Sequence, residues 1–246
     1  MPIQISICFY QELNDFLSTE KRNKLFTHKL QQSAGIKDIV ESLGVPHTEV
    51  DVILVNDQSV DFRYRVHAGD IIRVYPVTDS LGSVSIIHLQ ADLPSEIRFI
   101  LDAHLGRLAA YLRMLGFDSL YRNDYEDPVL ADISVTEQRI LLTCDRRLLM
   151  RKIISHGYFV RSRQPREQLR EVMHHFSLIS LMHPFTRCMY CNNPIQPVKK
   201  EAIQDRLQPR TLKYYDEFWQ CPACRRIYWQ GSHYQRMLKI IDEINK

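Results

Sequence analysis

The rhythm of apolar and polar positions changes twice along this chain, so three regions separate. In residues 1–83 the apolar positions come in short alternating runs. "QISICFY" and "NKLFTHKL" predict strands, and "GIKDIVESLG" predicts a short amphipathic helix closed by Gly44. "EVDVILVNDQSV" predicts a strand running into an Asn-Asp turn. "GDIIRVYPV" predicts a strand opened by a Gly-Asp turn and ended by Pro76, and "TDSLGS" reads as a linker.

From Ile97 to about Phe176 strands and helices alternate. "RFIL" reads as a strand followed by a helix from about His104 to Leu115, stopped at Gly116. "DSLYR" is a strand, and "DPVLADISVTEQ" a helix with Asp127 as its cap and Pro128 at its first position. "RILLT" and "RRLLMRKIIS" form the next pair, and "YFVR" and "PREQLREVMHHF" the last. Four strand–helix units predict an α/β fold, a parallel sheet with helices on both faces. From Pro184 onward cysteines, aromatics and basic residues dominate. The expected domains are therefore 1–83, 97–176 and 184–240.

A chain of 246 residues, 45% hydrophobic and 25% charged, has the composition of a globular protein. No run of about 18 apolar residues occurs, which argues against a membrane span. "MPIQISICFYQELNDF" carries acids early and does not read as a signal peptide, so a cytoplasmic location is expected. The net charge of +3 hides an asymmetry. Residues 161–246 carry 15 Lys and Arg against 8 Asp and Glu, leaving 17 against 21 for residues 1–160. A basic last third suits a polyanionic partner, or a merely solvated surface.

The chemistry gathers at the strand ends. Asp102 follows "RFIL", Asp145 follows "RILLT", and Asp124, Glu126 and Asp127 follow "DSLYR". Ligands of open parallel sheets bind beyond the carboxyl ends of the strands. Carboxylates gathered there repel one another unless a cation sits among them. Oxygen donors with room for water suit Mg²⁺ or Mn²⁺, which can activate water against a phosphate. The plain alternative for each acid is a helix cap. Arg107, one turn into the first helix, would approach a bound phosphate or simply meet solvent. Thr143 could hydrogen-bond a bound water or an acid.

Cys188 and Cys191 form one Cys-x-x-Cys pair and Cys221 and Cys224 another, with 29 residues between them. The interval exceeds the common spacing of about 15–20 residues, so "KKEAIQDRLQPR" must loop out. Two such knuckles complete a tetrahedral four-thiolate site for structural zinc, with no position left open. Cys8 and Cys144 stand alone in apolar segments. Around the knuckles lie cations and aromatics, among them Arg210, Tyr228, Trp229 and His233, suited to phosphates and unpaired bases or to a small ribbon core.

"ILDAHLGRLAAYLRMLGFD", "ILLTCDRRLL", "RCMYCNNPI" and "FWQCPACRRIYWQGSHYQRM", in that order, resemble the Mut-seven C-terminal RNase family across about residues 97–240. The resemblance implies a PIN-like nuclease domain carrying a zinc ribbon, with Mg²⁺ or Mn²⁺ bound by acids at strand ends. Asp102 matches the family's first acid and Asp145 its Thr-x-Asp acid. The middle acid lies among Asp124, Glu126 and Asp127, with Asp127 favoured before "PVLA". Cys144 stands where the family usually has Arg, which removes a positive charge beside Asp145. "LVNDQ" and "GDIIRVYP" resemble the β-grasp, ubiquitin-like domain of small sulfur carriers. Those end in a free Gly-Gly, whereas this chain continues past a lone Gly82, so the domain is expected to bind a protein partner or act as a scaffold. The expected activity is metal-dependent hydrolysis of RNA. The rival reading is a non-catalytic RNA-binding or adaptor protein whose acids only cap helices.

Overall fold

A computed structural model gives the fold, and its described residues are 3–77 and 86–244. The expected linker "TDSLGS", residues 78–83, lies outside them. In chain order the first elements are β1 Ile3–Phe9, β2 Phe26–Leu30, α1 Ile36–Ser42, β3 Val52–Val55, β4 Gln58–Val60 and β5 Ile71–Tyr75. The alternating region follows as β6 Arg98–Leu101, α2 Gly106–Met114, β7 Asp118–Tyr121, α3 Asp127–Thr136 and β8 Ile140–Thr143, then α4 Arg146–Leu149, β9 Gly157–Phe159 and α5 Pro165–His175. The last elements are β10 Gln196–Val198, α6 Pro209–Tyr214, β11 Phe218–Gln220, β12 Ile227–Tyr228 and α7 Ser232–Ile244. No helix among the described residues is long and apolar enough to cross a membrane.

The chain forms two compact units. One takes Met1–Ser95 and Glu126–Phe159, the other Glu96–Tyr125 and Val160–Lys246. The alternating region therefore contributes to both.

The first unit contains a five-stranded sheet in the order β2-β1-β5-β3-β4. β1 and β5 run parallel at its centre and the remaining pairs are antiparallel, which is the β-grasp arrangement. Alternation along β1 sends Ile5, Ile7 and Phe9 into a core shared with Ile36, Ile39 and Val40 of α1. The Asn-Asp turn forms as its residue types suggest: Asn56 and Asp57 both take left-handed backbone, at φ 49° and 67°. Asp70 is buried in the Gly-Asp turn, where it accepts from the His67 N–H at 2.8 Å and the Tyr64 hydroxyl at 3.1 Å.

In the same unit β8 and β9 pair in parallel, and α3 and α4 pack on β8. This segment is joined to the β-grasp sheet by polar contacts that hydrophobic periodicity does not signal. Glu49 accepts the Phe159 N–H at 2.7 Å, and the His47 ring lies between Glu41 Oε1 at 2.6 Å and the Ile154 carbonyl at 3.0 Å. Arg146 donates to the Phe16 carbonyl at 2.9 Å, with its guanidinium over the Phe16 and Phe159 rings. Two expectations need correction here. α4 stops at Leu149 rather than running to Ser155, because the chain turns after Arg151 to bury Ile154. Asp127 is the first residue of α3, not its cap; Glu126 holds the cap position, and no side chain closes that end.

In the second unit β6 and β7 pair in parallel, and α2 packs on β7 and α5. Strands β10, β11 and β12 form a small antiparallel sheet. Gly106, which opens α2, faces the Tyr121 ring; a Cβ there would lie 2.7 Å from it. Tyr121 thereby reaches the Ala103 carbonyl, donating its hydroxyl proton at 2.8 Å. This close approach accounts for Gly in "HLGR". Gly116, at φ +96°, ends α2 where the chain leading to the cysteines returns: the His183 N–H donates to Leu115 and the Phe185 N–H to Met114. A Cβ at Gly116 would lie 2.3 Å from the His183 carbonyl oxygen. Gly116→Ala is accordingly expected to destabilise the protein by at least about 2 kcal/mol, through left-handed strain and a backbone clash together. Urea unfolding checks this, and wild-type stability would mean that the His183 segment yields.

Candidate functional site

The four paired cysteines converge. Their sulfurs all lie within 4.8 Å of one another, with Cys188 Sγ 3.5 Å from Cys224 Sγ and Cys191 Sγ 3.3 Å from Cys221 Sγ. Tetrahedral zinc at about 2.3 Å from each thiolate needs sulfurs about 3.8 Å apart, so the set is able to hold that ion. Among the described residues it is the one group of three or more such side chains that meets this distance.

The two knuckles have the same backbone design. The Cys188 N–H donates to the Asn193 carbonyl at 2.8 Å, and the Asn192 N–H to the Cys188 carbonyl at 2.9 Å. The Cys221 N–H donates to Arg226 and the Arg225 N–H to Cys221, both at 2.9 Å. Asn192 and Arg225, each directly after its second cysteine, take left-handed backbone at φ 73° and 62°. In each knuckle the N–H of the second cysteine, Cys191 or Cys224, points at the sulfur of the first, Cys188 or Cys221, each at 3.5 Å. Burial and the neighbouring thiols push Cys224 up to about 12. Cys191 falls to about 6; burial opposes the fall, but the Asn193 backbone N–H and the adjacent thiols outweigh it. Gathered thiols thus resist ionising together, and a dication relieves that conflict.

The first knuckle is also tied to α2 and β7. Arg113 is buried on α2 and donates to the carbonyls of Met189 at 3.2 Å, Tyr190 at 2.7 Å and Ser119 at 2.8 Å. Burial lowers its pKa, opposed by the charges of Cys188 and Cys191. The Asn192 side chain accepts the Ser119 N–H at 3.0 Å and donates to Asp118 at 2.7 Å. The Tyr228 hydroxyl sits 3.0 Å from Cys188 Sγ. Sequence reasoning missed Arg113 and Asn192 as supports. A signal was present for Arg113, a cation flanked by the buried Leu112 and Met114.

The strand-end acids fall in different surroundings. Asp102 directly follows β6 and is half-buried; its carboxylate accepts the Ala103 N–H at 2.6 Å and heads a 3₁₀ turn, Ala103–Leu105, ahead of α2. Asp145 follows β8 after Cys144 and is also half-buried. It accepts the Arg147 N–H at 2.8 Å and donates its own N–H to Thr143 Oγ1 at 2.9 Å. Asp124 is exposed, and both of its oxygens accept from Arg122, at 2.9 and 2.7 Å. This hydrogen-bonded pairing holds its carboxyl below the usual range. Asp127 is half-buried, while Glu126, Arg107 and Cys144 are exposed. Asp102, Arg107 and Asp124 belong to the second unit, and Glu126, Asp127 and Asp145 to the first.

Comparison with protein families matches residues 97–241 to the Mut7-C RNAse domain and residues 2–82 to the Mut7-C ubiquitin domain. No curated protein and no solved structure matches the chain.

Proposed function

Because the chain belongs to the Mut7-C RNAse domain family, we propose that it is a metal-dependent ribonuclease hydrolysing RNA phosphodiester bonds. Asp102, Asp127 and Asp145 would hold Mg²⁺ or Mn²⁺, and Arg107 would contact the phosphate. The observation that carries this reading is the matched setting of Asp102 and Asp145. Each lies at the carboxyl end of a parallel strand, half-buried, with its carboxylate steered by a backbone N–H. Capping uses only part of a carboxylate's acceptor capacity, so serving as a cap and holding a cation are compatible roles. The donor set is hard oxygen, which fits Mg²⁺ or Mn²⁺ and not a soft metal.

When bound, such an ion supplies an activated water and neutralises charge on the phosphate. The chain's own part is to hold the carboxylates in place, through the caps and the buried strands behind them. Zinc on the four cysteines would be structural, its four ligands leaving no open position. Thiolate ligation suits a reducing compartment such as the cytoplasm. The β-grasp domain would recruit a protein partner.

A second reading, a non-catalytic RNA-binding or adaptor protein, is favoured by the same two bonds, since both acids already serve as caps. Incubating full-length zinc-loaded protein with a mixed RNA pool separates the two. The ribonuclease reading expects cleavage that rises with added Mn²⁺ or Mg²⁺ and is absent without them. An RNA pool left intact at every ion concentration would favour the adaptor.

A further inference from the structure

The surface of the cysteine-bearing region carries a groove that the proposed metal chemistry does not use. One part, about 700 Å³, is flanked by Arg210, Tyr214, Trp229 and His233. The next, about 600 Å³, is flanked by Tyr190, Arg206 and Arg226. Met189, Ile227 and Tyr228 line both, so the two parts adjoin. All of these residues belong to the second unit.

The lining is unusual for a solvated surface. Tyr214 is 67% exposed and Tyr190 65%, and Trp229 is also exposed. The Arg226 guanidinium lies 3.9 Å from the Tyr190 ring centre, and Lys213 lies over Tyr214 at 5.4 Å. Residues 187–240 hold ten Lys and Arg against four Asp and Glu. One of those acids, Asp216, is already engaged by Lys200 at 2.7 Å. The groove therefore presents aromatic faces interleaved with arginines, in a region with an excess of positive charge.

We propose that this groove binds an unpaired stretch of RNA, its bases stacking on Tyr214, Tyr190 and Trp229 and its phosphates meeting Arg206, Arg210 and Arg226. Exposed rings stack on bases whatever their identity, and cations beside them track the backbone. A duplex hides its base faces inside the helix and offers phosphates alone, so the rings select single strands. The inference rests on the ribonuclease reading for the choice of RNA, and it assigns that reading a place where substrate is gripped apart from the acids.

The test is binding by full-length zinc-loaded protein, without added divalent ion, of an unstructured RNA of about ten nucleotides and of a duplex of equal length. Tyr214→Ala and Tyr190→Ala are each expected to weaken the single strand roughly 5- to 100-fold and the duplex hardly at all. Arg226→Ala should weaken both and flatten the salt dependence. Both rings are exposed, so zinc content and circular dichroism should match the wild type. Failure of the wild type to bind the single strand, or equal affinities across the tyrosine variants, would overturn the site, as would equal weakening on both ligands. Cleavage plays no part in this measurement. An inactive enzyme that still shows the tyrosine effect would sink the ribonuclease reading and leave the groove standing.

Discussion

Cys188→Ser and Cys224→Ser are each expected to abolish zinc binding and unfold the region around the knuckles. Wild-type protein should carry about one zinc per chain, and a structural four-thiolate site contributes apparent binding energy of roughly 10–16 kcal/mol to folding. Serine keeps the size but offers a poor ligand. Three remaining thiols are left crowded, and in Cys188→Ser burial resists ionisation of Cys224 among them. The damage should not stop at the small sheet. Arg113 reaches the carbonyls of Met189 and Tyr190, and Asn192 holds the Ser119 N–H, so losing the knuckle strips partners from α2 and β7. Hydrogen exchange should therefore show lost protection at Asp118–Tyr121 as well as at Phe218–Gln220. Cys144→Ser is the control: Cys144 is exposed and outside the cluster, so metal content should be unchanged. Protein that is fully folded yet free of zinc would refute the structural role.

Much of this was legible from local pattern. The strand and helix order in the β-grasp region, the left-handed Asn56-Asp57 turn and the four strand–helix units follow from period and turn chemistry, which act within a few residues. The cysteine convergence was legible because spacing fixes each knuckle. What stayed hidden depends on residues far apart in the chain. Arg146 against the Phe16 carbonyl, Glu49 on the Phe159 N–H and His47 beside Ile154 join segments about a hundred positions apart, and each looks like an ordinary surface polar residue in isolation. The same holds for Arg113, whose partners lie more than 70 positions downstream. α4 is shorter than the helical pattern of "RRLLMRKIIS" suggests because burial of Ile154 overrides its helical propensity.

Asp102→Asn is expected to reduce Mn²⁺-dependent RNA cleavage at least about a thousandfold, the scale at which a preorganised electrostatic group is lost. The substitution separates the two roles of this residue. Asn is about as good a cap as Asp, and its side-chain oxygen can still accept the Ala103 N–H that Asp102 accepts at 2.6 Å. What it removes is the negative charge. A residue that holds no metal therefore predicts wild-type cleavage. A metal-holding residue predicts lost cleavage with thermal stability, measured without divalent ion, unchanged or slightly raised, because carboxylates sharing one cation site repel when the ion is absent. Asp145→Asn should behave the same way, its cap bond to the Arg147 N–H being retained. Asp124→Asn should differ: it loses only a solvent-exposed pair with Arg122, and cleavage should persist if Asp127 is the middle acid. Full Mn²⁺-dependent cleavage by Asp102→Asn would return that residue to its 3₁₀ turn and leave the acids as caps, and the family's nuclease chemistry would then have to be sought elsewhere in this chain or given up for it.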